Sequence, residues 1–108
     1  MAKSRLDQLL EFLEQDPDDS FIIYGLALEY LTIDNNKAKA YFDLLLEKHP
    51  NYLPTYYHAA KLYEALNNSK KAIELYNSGI TLSIKQNNMH SKRELQNALN
   101  LLLFDEED

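Results

Sequence analysis

Apolar residues recur along this chain at the spacing of one face of an α-helix. In six successive segments they stand mostly three or four residues apart. The clearest sets are Ile23, Leu26, Ala27 and Tyr30; Tyr56, Ala59, Ala60 and Tyr63; and Leu95, Ala98, Leu99 and Leu102. The pattern predicts an all-α protein with helices near residues 4–16, 20–33, 36–48, 54–66, 69–86 and 91–104.

Capping residues indicate where several of these helices begin. Ser4 stands three residues before Asp7, and Ser91 stands three before Glu94. This is the form of a capping box, in which a hydroxyl and a carboxylate each accept an unpaired backbone N–H group. Pro54 suits the first position of a helix, because the N–H group that proline lacks would have no partner there.

Proline and short polar residues also predict the breaks between helices. His49 precedes Pro50, whose ring disfavours α geometry in the residue before it, so a helix is expected to end there. Loops are expected at Asp-Asn-Asn, residues 34–36, and at Asn-Asn-Ser, residues 67–69. Their side chains can cap the helix that follows.

The chain also contains an internal repeat. A shift of 34 residues superposes residues 37–45 on residues 71–79, and a shift of 33 superposes residues 23–31 on residues 56–64. The two shifts differ by one residue, which places a single deletion in the loop around Asp34. A helix-turn-helix unit repeated at this period is typical of a solenoid.

The repeated residues give the chain a clear resemblance to the tetratricopeptide repeat (TPR) family, whose 34-residue motif combines large, small and aromatic positions on two helices, A and B. The second repeat carries Tyr56, Ala59, Ala60, Tyr63, Ala72, Tyr76 and Gly79 at the motif positions. The first carries Ile23, Leu26, Ala27, Tyr30, Ala38, Phe42, Leu45 and Pro50. The resemblance implies helix-turn-helix repeats stacked as a short right-handed α-solenoid.

The resemblance also implies an organisation for the whole chain, a single TPR-like domain over residues 1–108. Its parts are an N-terminal capping helix (4–16), repeat 1 (20–50), repeat 2 (53–86), a C-terminal capping helix (91–104) and an acidic tail (105–108). Three residues depart from the motif. Leu45 fills a position that is normally small, Ile84 replaces the terminal proline of repeat 2, and Arg5 stands where the motif has alanine.

Composition narrows the functional classes. With 108 residues and 45% hydrophobic content, the chain can bury a stable core without disulfide or metal cross-links. It has no cysteine, which excludes disulfides and thiolate metal sites. A net charge of -6 disfavours nucleic acid as a partner. Asp7 and Glu11 interrupt any secretory apolar segment and the longest apolar run is four residues, so we expect a cytoplasmic protein that does not bind membranes.

No pattern in the sequence indicates catalysis. His49, His58 and His90 fall on different predicted elements, without the spacing that places two metal ligands on one helical face. Phosphate-binding glycine motifs and a nucleophile elbow are also absent. We therefore expect no enzyme activity, no metal and no cofactor.

A second stripe on each helix A is the candidate binding site. Tyr57, Lys61 and Glu64 lie a quarter-turn or more from the packing residues of their helix, and their counterparts 33 residues earlier are Tyr24, Leu28 and Leu31. The resemblance implies that these positions line a concave groove that binds a peptide. It also implies that the family's carboxylate clamp, a lysine and an asparagine at two of these positions, is absent. Alternatively, the N-terminal helix or a neighbouring helix A covers the stripe of the first repeat.

Two functional hypotheses follow. In the first, the chain is a non-catalytic module that binds a peptide or helix of a partner protein on the helix-A face. In the second, its apolar surface serves self-association as a homodimer or structural unit without a peptide ligand. The second draws on the apolar residues 101–104 in the last predicted helix. A small basic cluster lies near the turn before that helix and could hold an anion, neighbour the acidic tail or simply be solvated: Lys85, His90, Lys92 and Arg93.

Overall fold

The computed structural model describes residues 2–106, and within that range it contains six α-helices and no strand. The helices are α1 (Arg5–Gln15), α2 (Ser20–Tyr30), α3 (Asn35–Lys48), α4 (Pro54–Ala65), α5 (Ser69–Lys85) and α6 (Met89–Glu106). The all-α prediction is confirmed, and each predicted segment contains one helix. The differences lie at the helix ends.

Short polar side chains set most of the helix starts, and those of Ser4 and Asp34 agree with the sequence prediction. The Ser4 hydroxyl accepts the backbone N–H of Asp7 at 3.0 Å, and the Asp19 carboxylate accepts that of Ile22 at 3.1 Å. Asp34 starts α3 by accepting two N–H groups, those of Asn36 and Lys37. α2 ends at Tyr30 rather than near residue 33, and residues 31–33 form the turn that leads to Asp34.

Two Asn-Asn pairs each end one helix and start the next. Asn67 and Asn87 have positive φ values of 62° and 58°, a left-handed conformation that asparagine tolerates better than most residues. The backbone N–H groups of Asn68 and Asn88 return to the carbonyls of Tyr63 and Ser83, at 2.9 and 2.8 Å, which closes a Schellman motif at each helix end. Each Asn-Asn pair therefore connects its two helices without a longer loop.

The prediction that Ser91 caps the last helix is wrong. The side chain of Asn88 accepts the backbone N–H of Ser91 at 3.0 Å, so α6 begins at Met89 and Ser91 lies within its first turn. The acidic tail expected at residues 105–108 also begins inside this helix, because α6 continues to Glu106, whose carboxylate accepts the Ser69 hydroxyl at 2.8 Å. Residues 107 and 108 lie outside the described residues.

The chain divides into two compact units, one up to Tyr52 and one from Leu53 onward. In the first unit, α2 packs against α1 and α3. Its core side chains have no accessible surface: Ile23, Leu26, Ala27, Ala38, Phe42 and Leu45. Leu45 is therefore accommodated at the position where the repeat motif has a small residue.

In the second unit, α5 packs between α4 and α6. Gly79 allows the close approach of all three helices, because a Cβ atom there would lie 2.8 Å from Cβ of Tyr56 and 3.0 Å from Cδ1 of Leu95. Tyr76, one turn earlier on α5, has no accessible surface. Since isoleucine rather than proline stands at position 84, α5 continues to Lys85. Because these contacts bury one side of α4, only its other side is available to a ligand.

Candidate partner-binding surfaces

The candidate residues of the first unit form a neutral, half-buried surface on α2. Tyr24 and Leu28 lie one turn apart, Leu31 follows the last helical residue, and none of the three is fully buried. The ring of Tyr24 meets that of Tyr52 edge-on, with 5.6 Å between the ring centroids. Burial raises the pKa of the Tyr24 hydroxyl, and the neighbouring Tyr52 raises it further. This surface therefore offers apolar contacts and a neutral phenol.

The candidate residues of the second unit form a charged and aromatic surface on α4. The ammonium group of Lys61 lies 5.8 Å from the centroid of the Tyr57 ring, within the range of a cation–π contact. The same ammonium lies 3.9 Å from Oε2 of Glu64. Tyr57 is half-buried, although the preceding residue, Tyr56, is buried in the core. The three predicted residues thus lie together, with Lys61 the most exposed.

Glu64 also has a second role, which the sequence analysis missed. The hydroxyl of Tyr76 donates a hydrogen bond to Oε2 of Glu64. Burial and this carboxylate together raise the pKa of Tyr76 far above that of a free tyrosine. A buried phenol needs an acceptor, and Glu64 is the acceptor that α4 presents to α5. The carboxylate is therefore part of the unit's own packing as well as of its surface.

A signal for this bond exists in the sequence. The aromatic position of helix B is Phe42 in the first repeat and Tyr76 in the second. Only tyrosine brings a hydroxyl into that buried position, so only the second repeat requires an acceptor on helix A. The first repeat has Leu31 where the second has Glu64, which agrees with this difference.

A shallow cleft of about 330 Å³ adjoins the α2 surface in the first unit. It is lined by Ser20, Lys48, His49, Pro50, Asn51 and Tyr52. Tyr52 belongs to both features, because its ring also contacts Tyr24. Lys48 lies 3.9 Å from Asp18, which offsets its charge at the edge of the cleft. The cleft therefore offers mostly polar side chains beside the Tyr52 ring, which connects it to the α2 surface.

The histidines do not converge on a metal site. His90 lies 3.6 Å from Glu94 on α6. The pKa of His58 is lowered by burial, an effect that the charge of Glu94 partly opposes. Among residues 2–106, no group of three histidine, aspartate or glutamate side chains is arranged to hold a metal ion. Over the same range, every helix is too short or too polar to cross a lipid bilayer.

Comparisons with known proteins agree on one family. The sequence profile described as "Tetratricopeptide repeat" matches residues 19–52 and 55–78, which is more than half of the chain. A solution structure of a tetratricopeptide repeat domain protein from Salinibacter ruber is 40% identical, with a TM-score of 0.76. That similarity covers 81% of this chain and 89% of that one. No curated protein matches the chain.

Two more distant structures share the fold alone. A protein from Bordetella parapertussis is 18% identical with a TM-score of 0.82, and the similarity covers 96% of this chain and 91% of that one. The crystal structure of MamA is 19% identical with a TM-score of 0.66, covering 94% of this chain and 67% of that one. At these identities the likeness concerns the arrangement of the helices and not their surfaces.

Proposed function

Because the chain belongs to the tetratricopeptide repeat family, we propose that it is a non-catalytic interaction module that binds a peptide or helix of another protein. Domains of this family generally mediate protein–protein interactions and are generally not enzymes. The binding residues we propose are those of the helix-A surfaces: Tyr24, Leu28 and Leu31 on α2 and its end, and Tyr57, Lys61 and Glu64 on α4.

The observation that carries the proposal is the contrast between Tyr56 and Tyr57. Tyr56 is buried in the core, where its Cβ atom packs closely against Gly79. Tyr57 is half-buried and contacts Lys61 and His58, with 5.5 Å between the Tyr57 and His58 ring centroids. A rigid, partly exposed aromatic ring beside a lysine is the type of anchor that protein interfaces favour.

The chemistry of the two surfaces predicts what they would recognise. On α4, the Tyr57 ring would pack against an aliphatic or aromatic side chain, and Lys61 would contact a carboxylate or backbone carbonyl of the ligand. Glu64 would hold Lys61 in place, since its carboxylate also accepts the Tyr76 hydroxyl. At the C-terminal end of α2, Leu28 and Leu31 would contact apolar side chains of a ligand.

Peptides selected from a random displayed library would test the proposal. We expect Tyr57→Ala combined with Lys61→Ala to weaken binding of the selected peptides at least about tenfold, which is the size of effect that loss of an interface anchor produces. The matched control replaces one exposed phenylalanine and one exposed lysine elsewhere, Phe12→Ala with Lys70→Ala. Fluorescence anisotropy gives the affinities, and thermal unfolding confirms that both variants are folded.

Two results would overturn this assignment. Unchanged affinity of the α4 double variant would show that the selected peptides bind elsewhere. Equal weakening in the control variant would show that binding depends on general surface properties rather than on Tyr57 and Lys61.

A further inference from the structure

The last turns of α6 expose apolar side chains that the second unit does not cover. Leu102 is buried with Leu95, Ala98 and Leu99, but Leu101 is 64% exposed and Phe104 is 67% exposed. From the sequence, residues 101–104 could either be buried against the last repeat or contact another subunit. The structure buries one of the four within this chain.

A stripe of exposed side chains runs along the whole length of α6. His90, Arg93, Asn97, Asn100 and Phe104 are all exposed and stand alternately three and four residues apart. Residues at this spacing share one side of a helix, and Phe104 is the apolar residue among them. The buried residues of α6 face α5, so the stripe lies on the side away from its own unit.

The charges of α6 oppose its own helix dipole. An α-helix favours acidic residues at its N-terminus and basic residues at its C-terminus. The first turn of α6 contains no acidic residue and the last turn contains no basic one. Instead, Lys92 and Arg93 follow the start of the helix, and Asp105 and Glu106 stand at its end. This distribution weakens an isolated helix but complements a second one that runs in the opposite direction.

We propose that α6 is a homodimerisation surface, on which the α6 helices of two copies pair antiparallel about a two-fold axis. This arrangement brings Lys92 and Arg93 of one helix to the same end of the pair as Asp105 of the other, twice by symmetry. It also brings Met89 and Arg93 of one copy toward Leu101 and Phe104 of the other. Arg93 can then lie over the Phe104 ring.

The size of the surface sets the expected strength of the dimer. The stripe runs along a helix of 18 residues, which is about 27 Å long. One helix pair of this length buries less than the standard interface of about 1,600 Å². We therefore expect a weak dimer with a dissociation constant in the micromolar range or above, populated at high protein concentration.

Sedimentation equilibrium of the full chain, from about 10 μM to about 1 mM, tests the proposal directly. We expect Leu101→Ser with Phe104→Ser to raise the dissociation constant at least tenfold. The matched control is Phe21→Ser with Ile33→Ser, two apolar residues of the first unit that are 68% and 63% exposed. Far-UV circular dichroism confirms the helix content of each variant. A wild-type chain that is monomeric throughout, or equal loss of the dimer in both variants, overturns the proposal.

A charge exchange tests the antiparallel direction. Lys92→Glu with Arg93→Glu places acid against acid in an antiparallel pair and should raise the dissociation constant. Adding Asp105→Lys in the same chain restores part of the attraction and should lower the constant again by at least about threefold. A dimer that ignores the first exchange, or that the second fails to restore, rules out this arrangement. The peptide surface of α4 is intact in all these variants, so failure here leaves the proposed binding function untouched.

Discussion

At the scale of single residues, the hydrogen bond between Tyr76 and Glu64 joins the core of the second unit to its candidate binding surface. Tyr76 is fully buried, so its hydroxyl depends on the Glu64 carboxylate as its acceptor. Glu64 is partly exposed and also lies near Lys61. A ligand that drew Glu64 away from Tyr76 would leave a buried hydroxyl without an acceptor, which favours Lys61 as the residue that contacts the ligand.

We expect Glu64→Ala to lower the free energy of unfolding by about 1–3 kcal/mol, because it leaves the buried Tyr76 hydroxyl unsatisfied. Tyr76→Phe should cost about 0.5–1.5 kcal/mol, since the Glu64 carboxylate can still meet water. The double variant should be more stable than Glu64→Ala alone. Urea unfolding of the three variants measures these values, and a double variant whose losses simply add would contradict the coupling.

The two glycines of the chain should respond differently to the same substitution. At Gly79 a new Cβ would meet Cβ of Tyr56 at 2.8 Å, an atom close to the backbone that cannot move aside, so Gly79→Ala should cost about 1–3 kcal/mol. At Gly25 the nearest atom is Cδ2 of Leu9 at 3.3 Å, which can rotate away. Gly25→Ala should therefore be neutral or gain up to about 1 kcal/mol of helix propensity. Thermal unfolding of both variants checks this order, and the reverse order would contradict the packing described.

At the scale of helices, the sequence predicted the elements well and some of their ends less well. The apolar spacing identified all six helices in the described range, because the buried positions follow one helical face. Ser4, Asp34 and Asn68 cap helices as predicted. Ser91 does not, because Asn88 stands three residues earlier and its side chain accepts the Ser91 N–H, which places Ser91 inside the first turn.

Substitution of the two possible caps of α6 would separate their contributions. Asn88→Ala removes the side chain that accepts the Ser91 N–H and should cost about 1 kcal/mol. Ser91→Ala, at the position that the sequence favoured, should stay within about 0.5 kcal/mol of wild type. Urea unfolding measures both, and a larger loss at Ser91 would contradict the assignment of Asn88 as the cap.

At the scale of the whole molecule, fold and function differ in how far the sequence determines them. The repeat motif identifies the family because its residues are required for packing within each unit, and packing leaves a periodic pattern. The candidate binding residues are identified only as helix-A positions that the packing motif does not require. The structure places Tyr57, Lys61 and Glu64 together on α4, but their binding role stays a prediction. The double role of Glu64 was not predicted, since it depends on a contact between helices.

The central claim is that the helix-A surfaces bind the ligand, and amide chemical-shift mapping tests it most directly. A library-selected peptide would be titrated into the ¹⁵N-labelled chain and the shift of every backbone amide followed. We expect the largest changes at the backbone amides around Tyr57 and Lys61. Shift changes confined to α6 or α3, with the α4 amide shifts unchanged, would contradict this claim.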